Sequence, residues 1–457
     1  MDNNKNKTIY FILIFALMLW APLVLSADEK KDALTLSLPQ ALEMARQRHM
    51  DIIVANERVN QAIARIGENR SALLPQLNGQ VFQQRQTRNL QTLGISASDP
   101  LVGPFNSFDA RLQLTQTIFD LAAVKRLSAA QDARELSLAE FRKTEQDVLA
   151  LVATFFLEAK RAYENTQAAE SVFNYAKEKF KVVYRKLKNG TGSLQEVRQA
   201  AASREKSFHD WQAAVAQSID RRLDLAAALG ISYHQPIQFQ EEKNLENSKL
   251  PMEEEIVAAL TRQPDVEVAR QNLNVRKNQL ASERAGYLPK LSAVANYGPS
   301  GEDPSNSDNT YLLGVQASVP IFEGGLRQSR TKGMASQVKE SEEILKDTQR
   351  HSEAKILSAV QSIKESRLLL KQRRIESRTA QHNFDLAQSR LNSGTGNKIE
   401  LLEAYAHKSI ADDNVKEAEA TYLLSEINLA HALGKADQLF IDKNNESVLN
   451  KGEQGEK

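Results

Sequence analysis

The sequence predicts a mainly α-helical chain that also builds a transmembrane β-barrel, from one unit present twice. Three observations carry this. Proline is absent between Phe105 and Gln235 and after Pro320, and glycine is absent between Phe105 and Asn189 and between Ala335 and Ser393. These stretches are dense in Ala, Glu, Lys, Arg, Gln and Leu, all good helix formers, so each reads as a helix of about 65 residues. Each follows an alternating segment, "LQLTQTIFD" in the first half and "VQASVPIFEGG" in the second. Landmarks then recur in one order, as in an internal repeat: "ALLPQL" (72–77) parallels "GYLPKL" (286–291), "NGTGS" parallels "SGTGN", and "AAALG" parallels "AHALG".

The elements follow in order. Lys5 and Lys7 precede an apolar run from Ile9 to Leu19, with small residues at Ser26 and Ala27, so residues 1–26 read as a signal peptide outside the fold. The first repeat is 27–235, a linker is 236–255, and the second repeat is 256–435. Residues 436–457 are expected as a C-terminal segment ending in a disordered tail. Each repeat reads helix, strand, loop, strand, long helix, turn, helix. The strands are expected at 75–89 and 108–120, then at 289–298 and 311–322. Each front helix, of about 25–35 residues, closes at its Leu-Pro landmark. The loops "SASDPLVGPFNS" and "GPSGEDPSNSDN" are turn-rich and polar, as exposed loops are. Gly230 and Gly434 are expected as helix C-caps.

Alternating strands of this length suit a membrane β-barrel, and also a small soluble sheet capping a coiled coil. Geometry bears on the choice. A helix of about 65 residues spans roughly 100 Å, and the two shorter helices of each half match it when stacked end to end. That makes a uniform wall. Four strands cannot close a barrel, whereas three chains with twelve strands can, so the strand count asks for a homotrimer.

Composition removes other classes. With 59 basic and 58 acidic residues there is no global charge argument for nucleic acid. There is no cysteine, hence no disulfide, thiol chemistry or acylated N-terminal cysteine. The seven histidines are scattered without metal-ligand spacing, and the Gly-Thr-Gly turns lack the preceding strand of a phosphate loop. No serine sits in a nucleophile elbow. The sequence carries no catalytic constellation and calls for no metal or cofactor.

In their order and spacing "LSLPQALEMA", "LLPQL", "VPIFEGGLR", "GTGNKIELLEA" and "ALG" resemble the TolC family of outer-membrane efflux proteins, over nearly all of the mature chain. The resemblance implies a trimeric outer-membrane channel of a Gram-negative bacterium: a barrel, a long periplasmic α-helical tunnel and an equatorial collar, to which 236–255 and the equatorial segment of 436–457 would belong. Such a channel serves a tripartite efflux or type I secretion system. It exports small molecules or proteins with a periplasmic adaptor and an inner-membrane transporter. Pro320, Gly324 and Gly325 would then mark the junction where a strand leaves lipid and bends into the tunnel wall. The turns Gly190, Thr191, Gly192 and Gly394, Thr395, Gly396 would lie at the far periplasmic end and dock the adaptor. Glu400 and Glu403, at i and i+3 on one helix face, would ring the entrance and favour cations. Arg185, Lys186, Lys188, Arg390 and Lys398 are expected to pair with acids between protomers there. One departure is Gly396, which occupies the region where family members often carry a basic or polar latch residue. The alternative, a soluble periplasmic coiled-coil adaptor, accounts for the helices but not for the duplicated strand pairs.

Overall fold

Local sequence sets the first boundaries of the fold. In the computed structural model, which describes residues 34–96, 98–240, 259 and 262–436, a short strand β1 (Leu34–Leu36) leads to helix α1 (Leu38–Arg48). The backbone N–H of Ser37 donates to Gln40 Oε1 at 3.0 Å, closing the start of α1. The expected signal peptide, residues 241–258 of the linker region and the C-terminal tail lie outside the described residues. The front helix of the first half is not continuous as expected. His49 adopts an extended conformation, and its Nδ1 accepts from Asp51 N to start a second helix, α2 (Met50–Ser71).

The next elements are β2 (Gln76–Asn89), a 3-10 turn at Leu90–Leu93, β3 (Leu101–Phe119) and α3 (Leu121–Lys188), which runs 68 residues. Asp120 caps α3 by accepting from Ala123 N at 2.8 Å. Then come α4 (Leu194–Leu229) and a short strand β4 (Ile237–Phe239). The second half repeats the order: α5 (Pro264–Ala285), β5 (Lys290–Asp303), β6 (Asn306–Ser318), the 67-residue α6 (Leu326–Asn392) and α7 (Lys398–Ala432). At about 1.5 Å per residue α3 and α6 are each about 100 Å long. Among the described residues, no helix is long and apolar enough to cross a membrane.

The four long strands form one antiparallel sheet in the order β2-β3-β5-β6. The strands differ from the expected ones at their ends. β3 starts at Leu101 rather than 108, and β5 and β6 extend until only Pro304 and Ser305 separate them. The polar segments expected as loops are therefore largely ladder. The reason is a compact turn: Asp303 Oδ1 accepts from Ser305 N, Ser305 Oγ and Asn306 N at 2.9, 2.7 and 2.9 Å, which replaces a long connection. In the other direction, β6 stops at Ser318 rather than 322, and Val319–Glu323 carry no regular structure.

Ladder registers sort side chains to two faces. Leu77 and Val81 of β2, Leu112 and Leu114 of β3, Ala295 and Tyr297 of β5, and Tyr311, Leu313 and Val315 of β6 share one face. It is left open: Val81 is 71% and Leu313 79% exposed. The other face carries Gln80, Gln84, Asp109, Arg111, Gln113, Asn296 and Gln316, with Phe82, Val294 and Leu312 as apolar members. Arg111 donates to Asp109 at 2.7 Å and to Asn296 at 3.3 Å across this polar face. β3, with 19 residues, and β6, with 13 residues, both exceed the roughly 9–11 that cross a bilayer.

The helices pack on this plan. α2 ends beside the base of β3, where Thr117 Oγ1 and Gln116 Nε2 donate to the carbonyls of Ala72 and Leu73. It covers the part of α3 nearest the sheet, and α4 covers the far part; α5 and α7 do the same for α6. α3 also touches α5 and α7, which joins the halves. The main core sits at mid-length of α3, where Val152 and Phe156 are buried with Leu36, Leu38, Leu225, Leu229 and Ile427. There β1 pairs in parallel with β4, and Phe156 meets Phe239 edge-on at 5.5 Å. The described part of the expected 236–255 linker is thus fastened to β1, at the front of the first repeat.

Candidate channel entrance

The two helical hairpins end in matching turns, as their shared Gly-Thr-Gly predicts. After α3, Gly190 takes φ +74° and Thr191 donates through N and Oγ1 to the carbonyl of Lys186 at 2.9 and 3.1 Å. After α6, Gly394 takes φ +77°, and the Arg390 carbonyl accepts from Thr395 N, Gly396 N and Thr395 Oγ1 at 3.0, 2.9 and 3.3 Å. The second glycine of each turn serves a different purpose. A Cβ on Gly192 would lie 2.8 Å from Leu187 N, and one on Gly396 would lie 2.9 Å from Arg390 Cβ. Gly396 is thus a packing requirement of the turn, which gives a physical reason for a side-chain-free residue there. Ser193 and Asn397 then cap α4 and α7, accepting from Gln195 N and Glu400 N.

Glu400 and Glu403 stand one turn into α7, lining a groove of about 730 Å³ between α6 and α7 with Asn383, Arg390 and His407. The sequence predicts Arg390 as a partner between protomers. Within the chain it already holds Glu400 at 3.0 Å across the same hairpin, because the tight turn brings the last turn of α6 beside the first of α7. Glu403 faces Tyr175 of α3, whose hydroxyl accepts from Lys179 Nζ at 2.9 Å. Burial pushes the Tyr175 hydroxyl up, Lys179 pulls it back, and Glu403 raises it further. Glu178 is held below its ordinary range first by Lys181, at 2.6 Å, and then by the more distant Lys398. Arg185, Lys186 and Lys188 occupy the last turn of α3, where cations suit the carbonyl end of the helix.

Pro320, Gly324 and Gly325 lie between β6 and α6. The two glycines take φ +59° and +83°, in open space, and the Gly325 carbonyl accepts from Ser329 N at 3.1 Å to begin α6. Beside them Ile321 is 95% and Phe322 85% exposed.

A second polar cluster, which the sequence did not announce, ties four helices at mid-length. Lys143 reaches Asp147 at 3.1 Å and Asp265 at 2.9 Å; His431 meets Asp147 at 2.7 Å, and Lys355 lies 3.8 Å from Asp265. Burial alone would raise both carboxyls. His431 and Lys143 on Asp147, and Gln263 and Lys143 on Asp265, outweigh it and hold both below their ordinary value. These residues come from distant parts of the chain, so no local motif could have found them.

The family described as outer membrane efflux protein matches residues 41–231 and 256–435, one match to each repeat. Outer membrane protein TolC of Escherichia coli is 22% identical over 431 residues, covering 88% of this chain and 83% of its own. Alkaline protease secretion protein AprF of Pseudomonas aeruginosa is 22% identical over 388 residues, covering 82% and 79%. Among solved structures, the CmeC outer membrane channel of Campylobacter jejuni aligns with a TM-score of 0.77 at 19% identity, covering 91% of this chain and 89% of that one. With its fold and both repeats matched, the chain belongs to the outer membrane efflux protein family.

Proposed function

We propose that this chain is the outer-membrane channel of an efflux or type I secretion system. In this reading three copies close a twelve-stranded barrel, continued into the periplasm by a tunnel of the long helices. The observation that carries it is the two-faced sheet. An open apolar face suits lipid, and a polar face with Arg111, Asp109 and Asn296 suits a water-filled lumen. Among the described residues both outer strands keep a free edge, and unpaired backbone in hydrocarbon costs several kcal/mol per group, so the sheet must close on other copies. A soluble adaptor would have no use for such a sheet.

The relatives support both branches of the function, since one is named for alkaline protease secretion and another as a toluene efflux pump outer membrane protein. An adaptor and an inner-membrane pump are the partners, because a tube has no energy source of its own. The turns at 190–193 and 394–397, about 100 Å from the sheet, are the surface the adaptor meets. Three copies of Glu400 and Glu403 bring six carboxylates to the entrance, a device that favours cations.

Membrane extraction tests the reading. The protein should resist high salt and carbonate, leave only with detergent, and then show the native mass of three chains. Release by carbonate as a monomer with its strands intact would overturn it.

A further inference from the structure

The free edges of β2 and β6 have a specific complement, written in the internal duplication. Aligning Pro75 with Pro289, and Ile118-Phe119 with Ile321-Phe322, carries the first hairpin onto the second. The observed ladders obey that alignment. The pair Gln76–Thr115 falls on Lys290–Ser318, and Gln80–Arg111 falls on Val294–Gly314. β2 thus corresponds to β5, and β3 to β6.

Within one chain the two halves meet at the β3–β5 seam. Its counterpart is β6 of one chain against β2 of a second copy. We infer that this intersubunit seam repeats the β3–β5 register, an inference that rests on the trimeric-barrel reading. The pair Thr115–Val294 then becomes Ser318 against Gln80 of the partner subunit. Likewise Leu114–Ala295 becomes Ala317 against the partner's Val81, and Phe119–Leu291 becomes Phe322 against the partner's Leu77.

Three independent features agree. The register matches faces: Ala317 and Val81 belong to the apolar face, Ser318 and Gln80 to the polar one, whereas a one-residue slip would oppose lipid-facing and lumen-facing side chains. Pro320 takes the place of Thr117, where the β3–β5 ladder shifts register before Phe119; a residue without an N–H is tolerated at such a bulge. β3 pairs as far as Phe119, but β6 stops at Ser318 and leaves Phe322 85% exposed, as is Leu77 of β2 at 65%. The missing length of β6 is the length a second copy would pair.

Cysteine pairs test the register directly, because the natural chain has none. Three double variants join Ser318→Cys with Asn78→Cys, Gln80→Cys or Phe82→Cys, all on the polar face, and are oxidised as assembled protein in detergent. A two-residue slip moves a partner by about 6.8 Å along the strand, beyond disulfide reach. Gln80→Cys should give a covalent trimer on non-reducing gels, roughly tenfold more than either neighbour. A trimer that crosslinks at Asn78 or Phe82, or at none of the three, overturns the register and leaves the trimer standing. A cysteine-free parent that is monomeric by native mass overturns the barrel reading itself.

Discussion

Gly394 and Gly396 share one turn but are constrained differently, and alanine at each should therefore fail differently. Gly394 has a positive φ with nothing within 4 Å of its Cβ position, so Gly394→Ala brings only left-handed backbone strain, about 1–2 kcal/mol. Gly396 is crowded instead: its Cβ would lie 2.9 Å from Arg390 Cβ and 3.0 Å from Arg390 C and Leu391 N. Gly396→Ala must push the turn away from α6, and the Arg390 carbonyl then loses its bonds from Thr395 N, Gly396 N and Thr395 Oγ1. At about 1 kcal/mol each, that is roughly 2–3 kcal/mol, beyond the strain at Gly394. The turn caps an exposed helix end, so the loss is local fraying and leaves the global unfolding midpoint in place. Amide hydrogen exchange over residues 385–405 measures it. Protection at the amides of residues 395 and 396 should fall roughly 30- to 140-fold in Gly396→Ala and roughly five- to thirtyfold in Gly394→Ala, at about 1.4 kcal/mol per decade. Adaptor binding should weaken in the same order. Equal protection in the two variants would refute the packing argument.

Three further outcomes are expected. Replacing Glu400 and Glu403 together by Ala should lower cation preference in planar-bilayer recordings while the trimer assembles normally; unchanged reversal potentials under a salt gradient would remove both from the entrance. Gly324→Val with Gly325→Val should reduce folded trimer, since β-branched residues resist the positive φ found at both sites, and normal trimer yield would show the junction tolerates them. Asp147 and Asp265 have folded pKa values below the ordinary 3.8, so their stabilisation is fully present above about that pH and is lost as pH falls through the lowered values. Asp147→Asn with Asp265→Asn should flatten the decline in thermal midpoint below about pH 4, and a decline identical to that of the natural protein would contradict the network's role.

The helices were the legible part of this fold. Breakers bounded α3 and α6 and helix-forming composition filled them, with Asn189 and Ser393 where the turns begin. Strand existence was legible from alternation, but strand extent was not. Pro299, Ser300 and Gly301 read as loop, yet a hairpin closed by Asp303 admits them to the ladder. The break at His49 and the pairing of the short strands β1 and β4 left no periodic signal at all. At the proposed entrance, the turn chemistry located Glu400 and Glu403 along the chain. Their partners were hidden, since Tyr175 and Lys179 meet Glu403 only through the packing of the first half on the second.

Toward the hairpin turns, the two seams of α3 differ in what it would cost to part them. Against α4 the seam is aromatic: Phe173 stacks on Trp211 at 5.6 Å, Phe208 closes on both rings, and Arg204 lies 4.5 Å over Phe180. Parting it would return apolar ring surface to water at about 25 cal/mol per Å², several kcal/mol over such a cluster. Against α7 the seam is polar. Arg161 grips Asp413 through two bonds of 2.7 Å, and Lys416 stands 3.8 Å from Glu164. Burial keeps Glu164 above its ordinary range even beside Lys416, so that pair adds little to the seam. Water can solvate Arg161, Asp413, Lys416 and Glu164 when they part, which offsets much of the lost pairing. Only removal of one partner is severe. The side chains of Arg161 and Asp413 are just 18% and 12% exposed, and Asp413→Ala would strand the arginine at about 3–5 kcal/mol. The α3–α7 seam is therefore the cheaper of the two to part.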